Sequence, residues 1–477
     1  MPKDTKPTLT PQITARLVEV VGTKAVSTSL SDLDFYSADA LDRIRAFSAA
    51  HLLETMPDVV VTPESTDQVA AVVRIANEEK IPIVPYGAGT GVMGAAVSIN
   101  GGIVLNMARM NRILDVSPDN MTATVQAGVI LGDLDRELQR QGLMLGHDPW
   151  SVPIASVGGA IGTNGVGYRA RKYGPMGKQV VALEVVLPNG SVIRTLPVAK
   201  VAGPSLKDLF PGAEGVFGVV TEATLRVFAQ PEERQFRSYS FPSFEDGFAA
   251  VQELTRLGIR PALMDLSEEW GRGTDQNSNE AHEISLTLVF EGFSEGVAAE
   301  SSRTQQVCIA NNGEDQGEHP AQQHWEFRHQ MAYRYKERLQ RQSGRYRRER
   351  GWGQLMDYLH VSLPASQVVD FYRWSKDIIA ERGLGLYEAS IWGDSELFSL
   401  MFGDPSENDP TGQLPRTSDE ILMKAQDLGG SMEYCHGVGV KLLHLMEREW
   451  GAGGQVMQAL KGSLDPANIM NPGKLGL

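Results

Sequence analysis

Three glycine-rich loops, set far apart in one α+β pattern, constrain this chain more than any other feature. The first is Pro85-Tyr86-Gly87-Ala88-Gly89-Thr90-Gly91-Val92-Met93-Gly94. Glycines let backbone amides approach a ligand where a β-carbon would collide, which suits a pyrophosphate. The second lies in HDPWSVPIASVGGAIGTNGVGYRARKYG, with Gly158, Gly159, Gly162, Gly165 and Gly167 beside the hydrogen-bonding side chains of Ser156, Thr163 and Asn164. The third, Glu214-Gly215-Val216-Phe217-Gly218-Val219-Val220-Thr221, runs from a turn into a strand. One such loop is weak evidence. Three of them predict a long, multi-part ligand lying across one domain.

Gly89, Gly91 and Gly94 also satisfy G-x-G-x-x-G, and Asp115 follows at about the spacing of a dinucleotide-binding acid. A nicotinamide-type loop should open a helix, however. Here AAVSINGGIVLNM is β-branched, glycine-broken and extended, and the helical DQVAAVVRIANEEK comes before the strand. That order disfavours the nicotinamide fold and leaves FAD as a ligand long enough for three loops.

Short strand-like runs alternate with these loops: GIVLNM, ATVQAG, VVALEVVLPNGSVIRT and GVVTEATLRVF, with Pro188-Asn189-Gly190 supplying hairpin chemistry. After Pro231 a strand, helix, strand order appears and returns from Met356, which predicts a second α+β domain. The expected organisation is an N-terminal helical segment over 1–56, a cofactor domain over 57–231, a cap over 232–430 and a returning C-terminal segment over 431–477. The 477 residues are enough for several cores, and no internal repeat is evident. A formal charge of −15 disfavours nucleic acid as a partner. Two cysteines, Cys308 and Cys435, and no apolar run of membrane-spanning length fit a cytoplasmic enzyme.

TPESTDQV, PYGAGTG, ASVGGAIGTNGVG, YGPMG, EVVLPNG, EGVFGVVTEATL, HWEFRHQ, DYLHVSLPAS, EYCHGVGVK and DPANIMNPGK follow one another from about residue 57 to the end. This ordered set resembles the FAD-linked oxidases of the vanillyl-alcohol oxidase and p-cresol methylhydroxylase superfamily, in the branch containing D-lactate dehydrogenase, the glycolate oxidase flavin subunit and alkyldihydroxyacetonephosphate synthase. The resemblance implies an α+β fold: a two-subdomain FAD-binding domain, an antiparallel-sheet cap and a C-terminal return to the flavin. It implies FAD as cofactor, a small anionic substrate, and a quinone, cytochrome, flavoprotein or O2 as electron acceptor. A homodimer and peripheral membrane contact stay open.

On these motifs the cofactor residues are Pro85, Tyr86, Gly87, Ala88, Gly89, Thr90, Gly91, Ser156, Gly158, Gly159, Thr163, Asn164, Gly167, Tyr173, Gly174, Glu214, Gly218, Val219, Val220 and Asn471. Trp325, Arg328, Trp392, Phe398, Glu433 and Tyr434 are expected around the substrate. The first loop lacks a histidine for covalent attachment, so noncovalent flavin is expected there.

His436 stands among polar residues and glycines in Glu433-Tyr434-Cys435-His436-Gly437-Val438-Gly439. A lone histidine is more often structural, but the family's EHG or HHG motif implies a base for the substrate hydroxyl. Arg328, in Trp325-Glu326-Phe327-Arg328, matches a W-x-x-R element and resembles a carboxylate clamp, where helical spacing alone reads as a surface salt bridge. Where relatives resemble H-x-G-D-x-N-x-H, this chain has Ile391, Trp392, Gly393, Asp394 and, at the end, Phe398. Neither aromatic ligates a metal, so no metal site is expected and simple D-lactate or D-2-hydroxyglutarate chemistry is in doubt.

From Arg334 to Gly351 eight basic residues face two acidic ones, with Tyr333, Tyr335 and Tyr346 nearby. This reads as an anion-attracting lid or as a solvated helix. The leading reading of the chain is an FAD-dependent oxidoreductase of a 2-hydroxy acid or related alcohol. The alternatives are an alkyldihydroxyacetonephosphate-synthase-like transferase, a phenolic-alcohol oxidase, and an electron-transfer subunit that depends on a partner.

Overall fold

The computed structural model describes residues 9–198, 200–270, 283–350, 355–405 and 412–477. Gly351, at the end of the basic run, and the first eight residues of the N-terminal segment lie outside them. Among the described residues no helix is long and apolar enough to cross a membrane.

The first half of the chain contains two main sheets and a two-stranded one, Leu143–Met144 with Phe228–Ala229. In the first, Val59–Val61 and Ile83–Tyr86 flank Ile103–Asn106, all parallel, and Val26–Ser27 adds an antiparallel edge. The helix Thr66–Glu79 makes the crossover; Ser65 caps it by accepting from the Gln68 N–H at 3.3 Å, and its apolar positions from Val69 to Ala76 are buried. No helix follows Tyr86 before the strand at Ile103, so the order that argued against a nicotinamide fold is the order observed. The second sheet is antiparallel, in the order Ile113–Ser117, Thr122–Gln126, Val219–Arg226, Val180–Val186, Val192–Arg194. Its last hairpin turns at Gly190, with φ 77°, as the Pro-Asn-Gly signal predicts.

The cap is a seven-stranded antiparallel sheet, ordered Glu314–Gly317, Glu233–Ser240, Glu283–Gly292, Leu263–Glu269, Gly385–Trp392, Leu397–Gly403, Met356–Ser362. Side chains alternate between its faces. On one face Phe398 packs 5.6 Å from Phe371 and 6.2 Å from Phe244, ring centroid to centroid, under the helices Val368–Glu381 and Phe244–Arg256. The other face carries Met356, Tyr358 and His360, then Ser399 and Met401, then Glu388 and Trp392, and these residues look into the large cavity described below.

The chain ends on the FAD-binding half. The Ile83 N–H donates to the Ile469 carbonyl at 2.7 Å, and the Lys461 ammonium, buried, donates to the Val216 and Met470 carbonyls and to Asp465. The basic run divides into two kinds of residue. Arg334, Lys336, Arg341 and Arg345 are exposed, as are Tyr333 and Tyr346, whereas Arg347 and Arg348 are buried against the N-terminal segment. Arg347 donates to the Ala38 carbonyl at 3.2 Å and Arg348 pairs with Asp34 at 3.2 Å. Tyr335, from the helix Gln330–Arg341, donates to the Gly89 carbonyl at 3.0 Å, so this helix sits directly on the first glycine loop.

Asp357, on the Met356–Ser362 strand and wholly buried, ties three distant segments together. It accepts from Arg45 Nε at 3.2 Å, from Ser418 at 3.2 Å and from the Lys441 ammonium. Removing the carboxylate takes the hydrogen-bonding counter-ion from two buried cations, which costs about 3–5 kcal/mol. Asp357→Ala is expected to lower the urea midpoint of the holoprotein by an amount corresponding to that loss, or to abolish soluble expression; an unchanged midpoint would show that the knot contributes nothing.

Candidate active site

The glycines of the first two loops serve first to let chain approach chain. Gly89 has φ 65° and faces the Tyr86 ring so closely that a β-carbon would overlap the phenol oxygen. A β-carbon on Gly87 would overlap the Ser156 hydroxyl, which is itself occupied as the cap of the helix Val157–Thr163, accepting from the Gly159 N–H at 3.2 Å. Gly162 differs, because nothing lies within 4 Å of where its β-carbon would stand. That open edge faces a cavity of about 640 Å³, within the range of small-molecule and cofactor sites.

The cavity runs from the glycine loops to the free face of the cap sheet. From the residues expected at the cofactor, Pro85 to Gly91, Ser156, Gly158, Gly159, Thr163, Gly167, Glu214, Gly218, Val219 and Val220 all line it. Four do not. The Asn164 side chain accepts from the Gly177 N–H at 2.8 Å, and Tyr173 donates to Glu291 at 3.1 Å. Gly174 lies against Lys178, and Asn471 donates to the carbonyls of Ala95 at 3.0 Å and Glu214 at 2.6 Å. They brace the loops from behind. Several buried polar atoms along the cavity lack a partner, among them Asp39 Oδ2, His147 Nδ1, Trp392 Nε1 and His436 Nδ1. An open glycine edge and unsatisfied donors and acceptors along one long cavity fit a group such as FAD, which carries phosphates, hydroxyls and a heteroaromatic ring system.

His436 lines the cavity on a loop pinned by two buried carboxylates. Glu433 accepts from the N–H groups of Cys435 at 2.6 Å and His436 at 2.9 Å. Glu214 accepts from those of Val438 at 2.7 Å and Gly439 at 3.0 Å. Burial raises both carboxyls to about 7, against the opposing effect of these hydrogen bonds. Burial, with His360, Arg45 and Lys441 nearby, holds His436 well below its usual value, so the ring is neutral at neutral pH. Its Nδ1 stands 3.9 Å from Glu433.

His360, which the sequence reading did not single out, lies with its ring centroid 4.6 Å from that of His436. It is buried and held neutral, lowered to about 3 chiefly by desolvation. Its Nδ1 meets the Ser399 hydroxyl at 2.6 Å, which in turn meets the Tyr434 hydroxyl at 2.9 Å. Strand alternation in MDYLHVS was the signal that could have found it, since Met356, Tyr358 and His360 share one face.

Arg328 also lines the cavity, stacked 3.8 Å over Trp325. Its Nε donates to Asp148 at 3.0 Å and its Nη1 to the Trp325 carbonyl at 2.5 Å. Asp148 also meets His329 Nε2 at 2.7 Å and Arg169 at 3.6 Å. Burial opposes its ionisation, but these cationic neighbours outweigh it and hold the carboxyl well below the usual carboxylate range. Asp148 and His329 were also missed by the sequence reading.

Among the residues expected at the substrate, Trp392 lines the cavity, while Trp325 lies beneath Arg328, and Glu433 and Tyr434 stand behind the histidines. Phe398 does not line it. Its ring belongs to the helix-covered face of the cap sheet, because the strand's two-residue period turns it away from Ser399 and Met401.

Comparison with known proteins agrees with this geometry. The FAD binding domain family matches residues 57–196, and the C-terminal domain family of FAD linked oxidases matches residues 230–475. The chain is similar to the glycolate oxidase subunit GlcD of Bacillus subtilis (strain 168), 30% identical over 98% of this chain and 97% of that one. It is similar to the D-lactate dehydrogenase of Anaerostipes hadrus, 31% identical over 88% and 89%. It also resembles the alkyldihydroxyacetonephosphate synthase of Trypanosoma brucei brucei, 28% identical over 89% and 74%. In fold it matches a solved alkyldihydroxyacetonephosphate synthase with TM-score 0.76 at 20% identity, covering 98% of this chain and 86% of that one. It matches p-cresol methylhydroxylase with TM-score 0.76 at 21% identity, covering 98% and 96%. The chain therefore belongs to the FAD-linked oxidases, as an FAD-dependent oxidoreductase of the lactate and glycolate dehydrogenase type that acts on CH–OH groups.

Proposed function

We propose that this enzyme oxidises a 2-hydroxy acid to the 2-keto acid, with His436 as the base that takes the hydroxyl proton and Arg328 as the group that binds the carboxylate. The observation that carries this reading is a neutral histidine and a buried-side arginine on the walls of one cavity that also meets all three glycine loops. The loops at Pro85–Gly91, Ser156–Gly167 and Glu214–Val220 would hold FAD, which would supply the two-electron acceptor, with flavin N5 as the hydride-accepting position.

The protein's own groups divide the remaining work. Asp148 and Trp325 fix the Arg328 fork by its Nε and Nη1 hydrogen bonds and by stacking, which leaves Nη2 and the second Nη1 hydrogen for a carboxylate. Glu433 faces the Nδ1 side of His436, so Nε2 is the nitrogen that accepts the proton. The ionised Glu433 then stabilises the imidazolium, much as a buried acid steadies the histidine of a hydrolase triad. His360, neutral and hydrogen-bonded through Ser399, orients the face of the pocket without competing for that proton.

His436→Ala is expected to lower the rate of anaerobic flavin reduction about 10²–10⁴-fold with the cofactor retained, the range of a lost general base. Arg328→Ala should instead raise the half-saturating substrate concentration by roughly 10–100-fold, the cost of a charged hydrogen bond. Stopped-flow reduction of both variants separates the two roles, and normal rates in the histidine variant would sink the base assignment.

Glu433 stabilises the imidazolium only when ionised, and its carboxyl titrates at about 7. His436 is already neutral there. Flavin reduction should therefore rise with pH through about 7 as Glu433 loses its proton, and Glu433→Gln should flatten that limb. A limb that persists unchanged in the variant would assign it to another group.

The first loop offers no nucleophilic histidine or cysteine, which supports a flavin held without a covalent link. Acid precipitation should leave the yellow colour in the supernatant; colour that stays with the protein pellet would overturn this.

A further inference from the structure

The cap-sheet face that looks into the cavity changes character along its strands. In register, Ser390 pairs with Ser399 and Ser399 with His360; in the next row Glu388 pairs with Met401 and Met401 with Tyr358; in the row after that Gly403 pairs with Met356. Two residues of strand advance about 7 Å, so Met356 lies about 13 Å along the strand from His360. Trp392 lies on the other side of the His360 row, its ring 5.8 Å from that of Tyr168, which donates to the Arg328 carbonyl at 3.2 Å. Arg328 and Met356 thus stand toward opposite ends of the cavity, and His436, beside His360, lies between them.

A substrate as small as lactate, with its carboxylate at Arg328 and its carbinol at His436, would end at the His360 row. Beyond that row the wall is Tyr358, Met401 and Met356, and all three line the same cavity. Thioether side chains are apolar, polarisable and adaptable, which suits a flexible hydrocarbon more than a polar headgroup. The Tyr358 ring is held by Arg45, which also lines the cavity; its guanidinium stacks 3.7 Å from the ring centroid and donates to the phenol oxygen at 2.9 Å. Glu388 also lines this end, and a carboxylate there opposes a second carboxylate on the ligand.

We infer that this end is a subsite for an apolar tail, and that the substrate is a 2-hydroxy monocarboxylate carrying a chain of several carbons. The inference rests on the 2-hydroxy acid reading above. In the step itself the C2–H bond breaks with its electron pair, which reduces FAD; the hydroxyl proton passes to His436, and the carbon–oxygen double bond of the 2-keto acid forms. The tail takes no part in this chemistry. It contributes binding energy that holds C2 in place.

The test is the second-order rate constant for anaerobic bleaching of the holoenzyme's flavin by lactate, 2-hydroxyoctanoate and 2-hydroxyglutarate. Each buried methylene contributes about fourfold, so 2-hydroxyoctanoate should exceed lactate by on the order of a hundredfold or more. 2-Hydroxyglutarate should be the poorest of the three. Met356→Ser combined with Met401→Ser should narrow the octanoate-to-lactate ratio by roughly tenfold or more, and Glu388→Gln should raise the 2-hydroxyglutarate rate relative to lactate. Lactate equal to or faster than 2-hydroxyoctanoate in the wild type would overturn the tail subsite and leave the 2-hydroxy acid reading standing. Bleaching by none of the three would overturn both.

Discussion

The buried carboxylate of Asp357 does more than join segments, because the cations it gathers stand close enough to His436 to add to the burial that holds its ring neutral. Arg45 comes from the N-terminal segment and Lys441 from the C-terminal one, and both converge on a strand of the cap. Asp42 also faces Arg45, and Glu433 faces Lys441. Burial, opposed by Asp357, depresses the Lys441 ammonium to about 8, and the same cations add to burial in keeping His436 unprotonated. A contact that closes the fold therefore also helps to keep the His436 ring neutral.

Asp148 does the complementary work on the far wall. It stands on the segment just before the second glycine loop and takes hydrogen bonds from Arg328 and His329 of the cap. The Arg328 fork is thus positioned by the FAD-binding half, although it belongs to the cap. Neither domain alone holds a complete site: one supplies the glycine loops and Asp148, the other the histidine-bearing face and the arginine. This explains why the chain returns to its first half at the end, where Lys461 and Asn471 bond the backbone of the third loop.

Much of this was legible in the sequence where a local rule had no competitor. Gly190 in its Pro-Asn-Gly turn, the Ser65-capped helix and the three glycine loops all follow from short-range chemistry. The reason assigned to the glycines was incomplete, since Gly87 and Gly89 are needed for contacts within the protein, whereas Gly162 has open space where a β-carbon would stand. His360 and Asp148 were hidden because nothing beside them in the chain marks their partners, which lie 39 and 180 residues away. Phe398 was misplaced by one residue's worth of alternation: a motif gives a position along a strand, and only register gives its face.

Register also accounts for how such a site can vary in specificity without disturbing its chemistry. The row with Ser390, Ser399 and His360 stands at the base, and the next rows stand successively further from it on the same face. Tyr358, Met401 and Met356 face the cavity, while Leu359, Val361 and Phe402 on the opposite face pack under the helices. Arg328, fixed by Asp148, belongs to neither face. A sheet with one face in the core and one in the cavity therefore separates packing residues from cavity-facing ones at two-residue spacing.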